Sequence, residues 1–432
     1  MYDFIMVGAG ITGLELSALL SHDGYRGLVL ERAEKIGGRA HLWKKDGWTV
    51  DYGIHLIRFG PESAISKICR HLGHRVEYVP LGKSFVYDED DKIKVFPTGP
   101  GGFLFSKMFS FGERLKAIKL MAEIKKRRLW LLKETSVEKW MNEHRIGGGL
   151  RRYFILVSAS MMVCPFVNRS SAGEMLNNIR NVLKTGYSVM YPKNGWEPLF
   201  NLYLDNINKN CEIQTKSKVD SIIIESGRAR GVKIKQEIIE AKNIITCVPV
   251  QELFSGLFDA DLFAPDVVDA CRNQRSTSGV VIDFGLKKRI SDSTGLWYLW
   301  DPMSFGIFTS NIEPSLAPEG KQLLTWLYPT ETEDMIDSKK AKEREEELFT
   351  ALIRIFPDLK KNIDWKRTMH LKVVDGTEVN VNQYKEKRIG PWLPGVDNLF
   401  LVGDSTAADG AGGDVGHESV LECYRAITGK DV

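Results

Sequence analysis

The stretch that decides the fold is residues 3–13, which read DFIMV followed by GAGITG. Its first five residues form an apolar run that is too short for a helix and ends at a glycine, so it predicts a β-strand. Residues 14–20 continue with a helical pattern, and a second apolar run at residues 28–30 ends in Glu31. This order of strand, glycine-rich turn, helix, strand and acid predicts a dinucleotide-binding site, because the acid lies roughly 20 residues beyond the glycines.

Each glycine of this turn has its own physical reason. Gly8 permits the tight turn out of the strand, Gly10 lets the backbone approach a pyrophosphate, and Gly13 lets the helix pack closely on the strand. The amino terminus of the helix offers free N–H groups and a partial positive charge to the phosphates. Glu31 can accept hydrogen bonds from both hydroxyls of a ribose, and its charge would repel a 2′-phosphate, which favours FAD or NAD over NADP.

The composition is typical of a globular protein with more than one domain. A chain of 432 residues usually divides into two domains, and 43% hydrophobic residues provide a sizeable core. The net charge of +3 is too small to predict nucleic-acid binding. The six cysteines are scattered without a C-x-x-C pair, which argues against a disulfide framework or a zinc site and favours a reducing compartment. No basic segment leads into an apolar one at the start, and no run of about 18 apolar residues occurs, so we expect no signal segment and no transmembrane helix. With the scattered cysteines, this predicts a cytoplasmic protein without a bound metal.

Further glycines follow the acid, and they carry a family resemblance. Gly37-Gly38-Arg39 lies just beyond Glu31, and residues 51–55 read Asp-Tyr-Gly-Ile-His. With the first motif, these stretches resemble the flavin amine oxidase superfamily, and most of all its phytoene desaturase and protoporphyrinogen oxidase branches. The resemblance implies that Arg39 reaches the pyrophosphate of FAD and that residues 51–55 pass under the isoalloxazine ring. One departure is Leu42, which stands where the superfamily usually has Ser or Thr.

The carboxyl-terminal residues resemble the last FAD motif of the same superfamily. Residues 398–402 predict a strand, Gly403 and Asp404 follow it, and a glycine-rich turn precedes a helix predicted over residues 417–427. The resemblance implies that Asp404 hydrogen-bonds the ribityl chain or the flavin-side phosphate. The amino terminus of the helix, near residues 414–417, would point at the pyrimidine end of the flavin and stabilise its reduced form.

A third resemblance lies in the middle of the chain. Residues 191–199 are similar to a Tyr-Pro-x-x-Gly turn of the superfamily, and the resemblance implies that the backbone of Val219 holds the adenine. The residues predicted to bind the cofactor are Gly8, Gly10, Ile11, Thr12, Gly13, Glu31, Arg32, Gly38, Arg39, Gly53, Ile54, His55, Val219, Gly403, Asp404, Gly413, Asp414 and Val415.

These motifs predict an α/β fold that contains a Rossmann-like FAD-binding domain of the glutathione reductase type. We expect this domain to consist of three segments, residues 1–80, 192–252 and 392–432. An interleaved α+β substrate domain is then expected from residues 81–191 and 253–391. Several strands predicted in that domain are rich in aromatic residues, which suits a sheet that faces an apolar ligand.

His55 and Arg58 are the candidate catalytic residues, and two interpretations stay open for them. In the first, they lie at the edge of the flavin, where a base or a cation acts on the substrate or on the reduced flavin. In the second, the His55 ring only hydrogen-bonds to the backbone beneath the flavin.

The segment between the glycine motifs includes the most basic part of the chain. Ser110 and Glu113 form an S-x-x-E capping box at the start of a predicted helix, and residues 113–130 are rich in Lys and Arg. This helix either lies on an anionic membrane surface, with its tryptophan at the boundary, or is a solvated helix of the second domain. Upstream, residues 61–78 have helical spacing and residues 97–102 form a turn-rich break.

The paired motifs predict an FAD-dependent oxidoreductase that takes a hydride from a hydrophobic substrate of the isoprenoid or tetrapyrrole type. Residues 153–167 are rich in Leu, Val, Met and Phe, so they line either a pocket for such a substrate or an ordinary core. Three other functions stay open: a flavin amine oxidase, a redox-neutral flavin-dependent isomerase or mutase, and a flavin-binding protein without turnover.

Overall fold

The computed structural model describes residues 1–126 and 128–432, so Arg127, within the predicted basic helix, lies outside the described residues. The described chain contains both strands and helices. The strands are β1 (Tyr2–Val7), β2 (Gly27–Leu30), β3 (Trp43–Lys45), β4 (Trp48–Val50), β5 (Ile57–Arg58), β6 (Tyr78–Pro80), β7 (Phe85–Tyr87), β8 (Ile93–Val95), β9 (Val189–Pro192), β10 (Cys211–Gln214), β11 (Ser221–Glu225), β12 (Arg228–Ile234), β13 (Glu237–Thr246), β14 (Ser278–Leu286), β15 (Trp297–Leu299), β16 (Ser304–Ile307), β17 (Gln322–Thr330), β18 (Ile363–Leu371) and β19 (Leu399–Leu401). The helices are α1 (Ile11–His22), α2 (Ala64–His71), α3 (Gly99–Phe105), α4 (Phe111–Lys126), α5 (Val137–Glu143), α6 (Gly148–Met161), α7 (Ala172–Thr185), α8 (Glu197–Ile207), α9 (Pro265–Arg272), α10 (Thr309–Ile312), α11 (Thr332–Ile336), α12 (Ser338–Ile355), α13 (Leu359–Asn362) and α14 (Gly413–Thr428).

The first sheet is built around the strand that precedes the glycine-rich turn. β1 pairs in parallel with β2 on one side and β13 on the other, and the parallel core has the order β10-β2-β1-β13-β19. The long strand β13 also closes an antiparallel meander with β11 and β12. Because β1 and β2 run in the same direction, their carboxyl ends meet at one edge, which is where Rossmann-like sheets bind their ligands.

The second sheet has seven strands in the order β18-β14-β17-β16-β15-β7-β8 and is mostly antiparallel. Strand β14, which pairs with β18 and β17, is buried along its whole length, and its alternate residues face opposite sides of the sheet. Val280, Ile282 and Phe284 pack with Leu348 and other residues of α12. Val281 belongs to a different apolar cluster on the opposite face, so the two faces of this sheet pack against different parts of the protein.

The two sheets come from different parts of the chain. Strands of the first sheet lie within residues 2–30, 211–246 and 399–401, and strands of the second lie within residues 85–95 and 278–371. The largest cluster of buried apolar residues nevertheless includes members of both sheets. The exact domain boundaries remain a prediction, but the sheets share an apolar core, and this core lies next to the site described below.

The structure confirms the predicted mixed α/β architecture and corrects three local expectations. The helical pattern over residues 61–78 gives a helix only over Ala64–His71, because Gly73 follows with a φ of 79°. Residues 97–102 are not simply a turn-rich break, because helix α3 begins at Gly99. The last helix begins at Gly413 rather than at residue 417.

The capping box before α4 forms as predicted. The backbone N–H of Ser110 donates to Glu113 Oε2 at 2.7 Å, and the N–H of Glu113 donates to Ser110 Oγ at 3.4 Å. In the described part of the chain, no helix combines the length and apolar character that a bilayer span requires.

Candidate functional site

One continuous cavity of about 1450 Å³ joins the glycine-rich turn to the second sheet. Its walls include the carboxyl ends of β1 and β2, the amino terminus of α14, and residues of β14 and β17. Pockets for a single small ligand usually span roughly 300–1000 Å³. The cavity is therefore large enough for a dinucleotide together with a second molecule.

The glycine-rich turn leaves room for a ligand at one glycine and for packing at another. In the part of the chain that the structure describes, a Cβ atom on Gly10 would approach only the Cys247 Sγ, at 3.1 Å, whereas a Cβ on Gly13 would lie 2.7 Å from the backbone oxygen of Gly8. Gly38 lies directly over this turn, and its Cβ would be 3.2 Å from the Gly10 Cα. The turn and the second glycine element thus form one cradle, of the kind that a diphosphate needs.

Two further groups of the cradle fit the ribose and the base of a dinucleotide. The Glu31 carboxylate accepts the backbone N–H of Ala9 at 2.8 Å and that of Ala33 at 2.7 Å. Because an ionised carboxylate has about four acceptor positions, both oxygens keep capacity for ribose hydroxyls. Neither the backbone N–H nor the C=O of the buried Val219 hydrogen-bonds to another described residue, which suits an adenine edge.

Arg39 and Asp404 were predicted at separate positions along the cofactor, and the structure pairs them. The Arg39 guanidinium donates to both carboxylate oxygens of Asp404, at 2.8 and 2.6 Å, and to the Val374 carbonyl at 2.8 Å. The N–H of Gly376 donates to the same carboxylate at 2.7 Å. Although burial disfavours the charged form of Asp404, Arg39 and these hydrogen bonds keep its pKa below the ordinary value.

Asp375 is a residue of the cavity wall that the sequence analysis missed. Its side chain is 9% exposed, and Thr277 Oγ1 donates to Oδ2 at 3.3 Å, whereas Oδ1 has no hydrogen-bond partner among the described residues. Burial and the nearby Asp404 carboxylate raise the pKa of Asp375 to about 7, against the opposing effect of Arg39 and Arg58. No local sequence signal distinguishes this acid from a surface residue.

Arg58 serves as a clamp in this structure. Its guanidinium donates to the Asp414 carboxylate at the start of α14 and to the carbonyl oxygens of Met161 and Ala411. The side chain is buried, so this clamp joins β5, the end of α6 and the last glycine-rich turn. All three guanidinium nitrogens are occupied, which favours a positioning role over direct action on a substrate.

His55 has neither of its ring nitrogens bound to another described residue. The ring lies 5.9 Å from the Trp196 ring, whose Nε1–H donates to the His55 carbonyl at 3.1 Å. The interpretation in which the His55 ring bonds to the backbone is therefore not what the structure shows. Burial and then the neighbouring His417 lower the pKa of His55 to about 4, so its imidazole is neutral at physiological pH.

The cavity wall contains the predicted cofactor residues with two exceptions. Gly13 supports the packing of α1 from behind, and Val415 is buried with its N–H donating to the Gly412 carbonyl at 3.2 Å. Gly416 and His417, one and two residues beyond Val415, line the cavity. Arg32 lies at the exposed rim, 3.7 Å from Glu252. The binding roles themselves remain predictions.

Beyond the cradle, the cavity becomes an apolar chamber. Phe96 is central to its wall, with ring centroids 5.1 Å from Tyr153 and 4.7 Å from Tyr298. Residues 153–167 were expected to line either a substrate pocket or an ordinary core, and both occur. Tyr153 and Val157 line the chamber, whereas Phe154 belongs to the core. Other residues of the chamber wall are Phe103, Ile179, Val281, Leu296, Phe305 and Leu327.

Helix α4 forms part of the chamber and also presents an exposed apolar surface. Met121 and Lys125 line the cavity, while Leu115 and Ile118 point to solvent. Further large apolar side chains are exposed close by in sequence: Leu104, Phe105, Phe111, Trp130 and Leu131. We call these seven exposed residues, Leu104, Phe105, Phe111, Leu115, Ile118, Trp130 and Leu131, the apolar surface patch. Exposed patches of this kind mark interaction sites.

Comparison with known proteins agrees with this geometry. The sequence profile of the family described as flavin containing amine oxidoreductase matches residues 11–417. A zeta-carotene-forming phytoene desaturase from Myxococcus xanthus is 23% identical and covers 93% of this chain and 89% of its own. The chloroplastic prolycopene isomerase of Daucus carota is also 23% identical, over 94% of this chain and 76% of its own. The solved structure of an oxidoreductase from Methanosarcina mazei superposes with a TM-score of 0.82 at 19% identity, and covers 97% of this chain and 99% of its own.

Proposed function

The chain belongs to the flavin-containing amine oxidoreductase family and uses FAD, and on this premise we propose that it withdraws a hydride from an activated C–H bond of a long apolar substrate. The observation that carries the proposal is the continuous cavity that leads from a dinucleotide cradle into an aromatic and aliphatic chamber. A chamber of this lining suits an isoprenoid or a tetrapyrrole better than a polar metabolite. The new double bond would form where the chamber meets the cradle.

The residues of the cradle divide the work of holding the cofactor. The turn around Gly10 and the amino terminus of α1 would receive the diphosphate, Glu31 the adenosine ribose and the Val219 backbone the adenine. Arg39 and Asp404 would fix the middle of the molecule, and the amino terminus of α14 would meet the ring end. When bound, FAD supplies the two-electron chemistry.

The other residues of the site control access and orientation. The apolar chamber excludes water from the reacting bond, and its tyrosines do not ionise, since burial raises the pKa of Tyr298 to about 12. His55 is neutral and its ring makes no hydrogen bond to another described residue, so it can hydrogen-bond to a molecule in the cavity without bringing a charge there. Arg58 keeps the start of α14 in place through Asp414.

The test is to isolate the protein under anaerobic conditions, record its visible spectrum, and extract bound small molecules into organic solvent for mass spectrometry. The proposal expects a flavin spectrum and a co-purified isoprenoid or tetrapyrrole. A flavin spectrum with a polar amine or a sugar nucleotide would overturn the assignment of the substrate. Absence of flavin after reconstitution with FAD would overturn the assignment of the cofactor site.

A redox-neutral isomerase is the second candidate, because a prolycopene isomerase matches this chain over 94% of its length. The same cradle and chamber would serve it, since the flavin would return to its starting state in every turnover. An isomerase needs a reductant for activity but consumes none, whereas a desaturase consumes one equivalent of electron acceptor per double bond. Acceptor consumption measured against product formation therefore decides between the two.

We also propose that the apolar surface patch docks on an anionic bilayer and opens the chamber to its lipids. Exposed cations accompany the patch, and within the described part of the chain Lys119, Lys125, Lys126 and Arg128 form no salt bridge. Exposed apolar side chains that lie close in sequence to these cations match the chemistry of an anionic membrane surface. Since Lys125 and Met121 line the cavity, the docked surface would lie at an entrance to the chamber.

Two tryptophans provide a matched test of this docking. Trp130 lies in the patch and is 62% exposed, and Trp392 lies elsewhere in sequence and is 53% exposed. Trp130→Ala should weaken cosedimentation with phosphatidylserine-containing vesicles several-fold, while Trp392→Ala should have no effect. Equal loss in both variants, or equal binding of the wild type to neutral vesicles, would contradict the proposal.

A further inference from the structure

Glu15 is a fully buried carboxylate at a helix position where an apolar residue would be expected. It lies in α1, directly behind the glycine-rich turn, and its side chain is 0% exposed. Its helix packs between α8 and α14, so the carboxylate reaches a three-helix junction. Burying a carboxylate costs several kcal/mol unless partners compensate for the lost water, and Glu15 has such partners.

The partners of Glu15 come from both neighbouring helices. The Tyr203 hydroxyl of α8 donates to Oε1 at 3.0 Å, and His417 Nδ1 of α14 lies 3.0 and 2.9 Å from the two oxygens. Because an ionised carboxylate only accepts hydrogen bonds, Nδ1 must carry a proton. The contact therefore fixes the orientation of the imidazole and one of its protons.

The other side of the His417 ring belongs to the cavity. The residue lines the cavity wall, and Nε2 makes no hydrogen bond with another described residue. Trp196 stacks nearby with ring centroids 6.4 Å apart, and it also touches the His55 ring. Glu15 thus holds His417 from behind while Nε2 remains available to a molecule in the cavity.

The charges around His417 favour its protonated form. Burial alone would lower the pKa, but Glu15, and then Asp414 and Glu418 on the same helix, raise it above the ordinary value. His55, whose ring lies near the same Trp196 ring, has a lowered pKa, and Arg58 forms an ion pair with Asp414. The proton therefore resides on His417 and not on His55.

We propose that Glu15 holds His417 as a charged hydrogen-bond donor directed at the bound flavin, and that this donor favours the reduced flavin over the oxidised one. A cation near the ring end of the cofactor stabilises the negative charge that reduction places there. Glu15 acts through His417 and is a positioning residue. The inference rests on the FAD site described above, but it does not depend on the identity of the substrate.

The test is the two-electron midpoint potential of the bound flavin, measured by equilibration with reference dyes. Glu15→Gln and His417→Gln should each reduce the preference for reduced flavin at least tenfold, which corresponds to a potential lower by about 30 mV. The double variant should match the single variants, because the two side chains act as one unit. Ser17→Ala, at a buried position of the same helix, is the control and should leave the potential unchanged.

The outcomes separate this inference from the proposed function. Failure of the wild type to bind FAD would overturn the cofactor site on which both rest. Normal FAD content with unchanged potentials, even if both variants unfold at lower urea concentration, would show that the pair only joins helices and would overturn this inference alone. As a second readout, the wild-type potential should change its pH dependence where His417 loses its proton, and both variants should lack that change.

Discussion

Alanine substitutions at Gly10 and Gly13 separate ligand binding from packing within one turn. At Gly13 the new Cβ would lie 2.7 Å from the Gly8 carbonyl oxygen and 3.2 Å from Cys247 Cβ. Neither atom is the mobile end of a side chain, so α1 must shift. Overpacking of this kind costs up to about 3 kcal/mol, and the better helix propensity of alanine returns at most about 1 kcal/mol. We expect a net loss of about 2 kcal/mol in the free energy of unfolding.

At Gly10 the balance is reversed. Among the described residues, the only close neighbour of the new Cβ would be Cys247 Sγ at 3.1 Å, which is a side-chain end that can rotate away. The free energy of unfolding of the apoprotein should therefore change by less than about 1 kcal/mol, the usual range for a glycine-to-alanine change at a helix start. The same methyl group would project into the diphosphate cradle, and we expect at least a hundredfold weaker FAD binding, or about 2.8 kcal/mol.

The assay combines urea unfolding of the apoproteins with FAD titration followed by quenching of flavin fluorescence. Gly13→Ala should shift mainly the unfolding midpoint, and Gly10→Ala mainly the dissociation constant. The reasoning is refuted if Gly10→Ala binds FAD like the wild type, because the cradle would then not be the diphosphate site. It is also refuted if Gly13→Ala is as stable as the wild type.

Two further predictions concern charges around the cavity. Since the pKa of Asp375 is raised to about 7, its carboxyl group gains a negative charge as pH rises from 6 to 8. FAD is itself an anion, so it should bind about tenfold more weakly at pH 8 than at pH 6, a difference of about 1.4 kcal/mol. Asp375→Asn should remove this pH dependence in the same FAD titration, and an unchanged dependence would contradict the role given to Asp375. Arg58→Met should destabilise the protein by about 3–5 kcal/mol in urea unfolding, because it leaves the Asp414 carboxylate largely buried without its partner. Adding Asp414→Asn should recover part of that loss, and no recovery would show that Arg58 acts through other contacts.

The first forty residues show what the sequence predicts well. The strand, the turn and the helix are local structures, and Gly8, Gly10 and Gly13 have tasks that depend only on their immediate neighbours. The carboxyl-terminal motif is also a local strand, glycine-rich turn and helix, and its sequence placed it near the same ligand. Both motifs indicated the cofactor, and the cavity between them follows from their meeting in space.

Contacts between distant parts of the chain were beyond such local patterns. Arg39 and Asp404 are 365 residues apart, and each was assigned a separate contact with the cofactor rather than the ion pair that joins them. Glu15 lies within the helical pattern of residues 14–20, and nothing in the neighbouring sequence reveals that the three-helix junction buries its side chain. Only the fold could reveal its pairing with His417.

Helix α4 shows a different limit of the periodicity argument. Leu115, Ile118 and Leu129 are all large apolar residues of the predicted basic helix, but the first two are exposed and the third is buried. The core-facing side is formed by Ala117, Leu120, Met121 and Ile124. A helix with two apolar faces gives no single clear period, so the exposed face was identifiable only from the packing.

The central claim is that an apolar substrate in the chamber passes a hydride to FAD in the cradle. The most direct measurement is anaerobic mixing of the FAD-loaded protein with an acyclic polyene precursor in anionic vesicles, while the visible flavin absorbance is recorded. The account predicts bleaching of the flavin band together with one new double bond per reduced flavin. Bleaching by primary amines but not by any isoprenoid or tetrapyrrole would contradict the account.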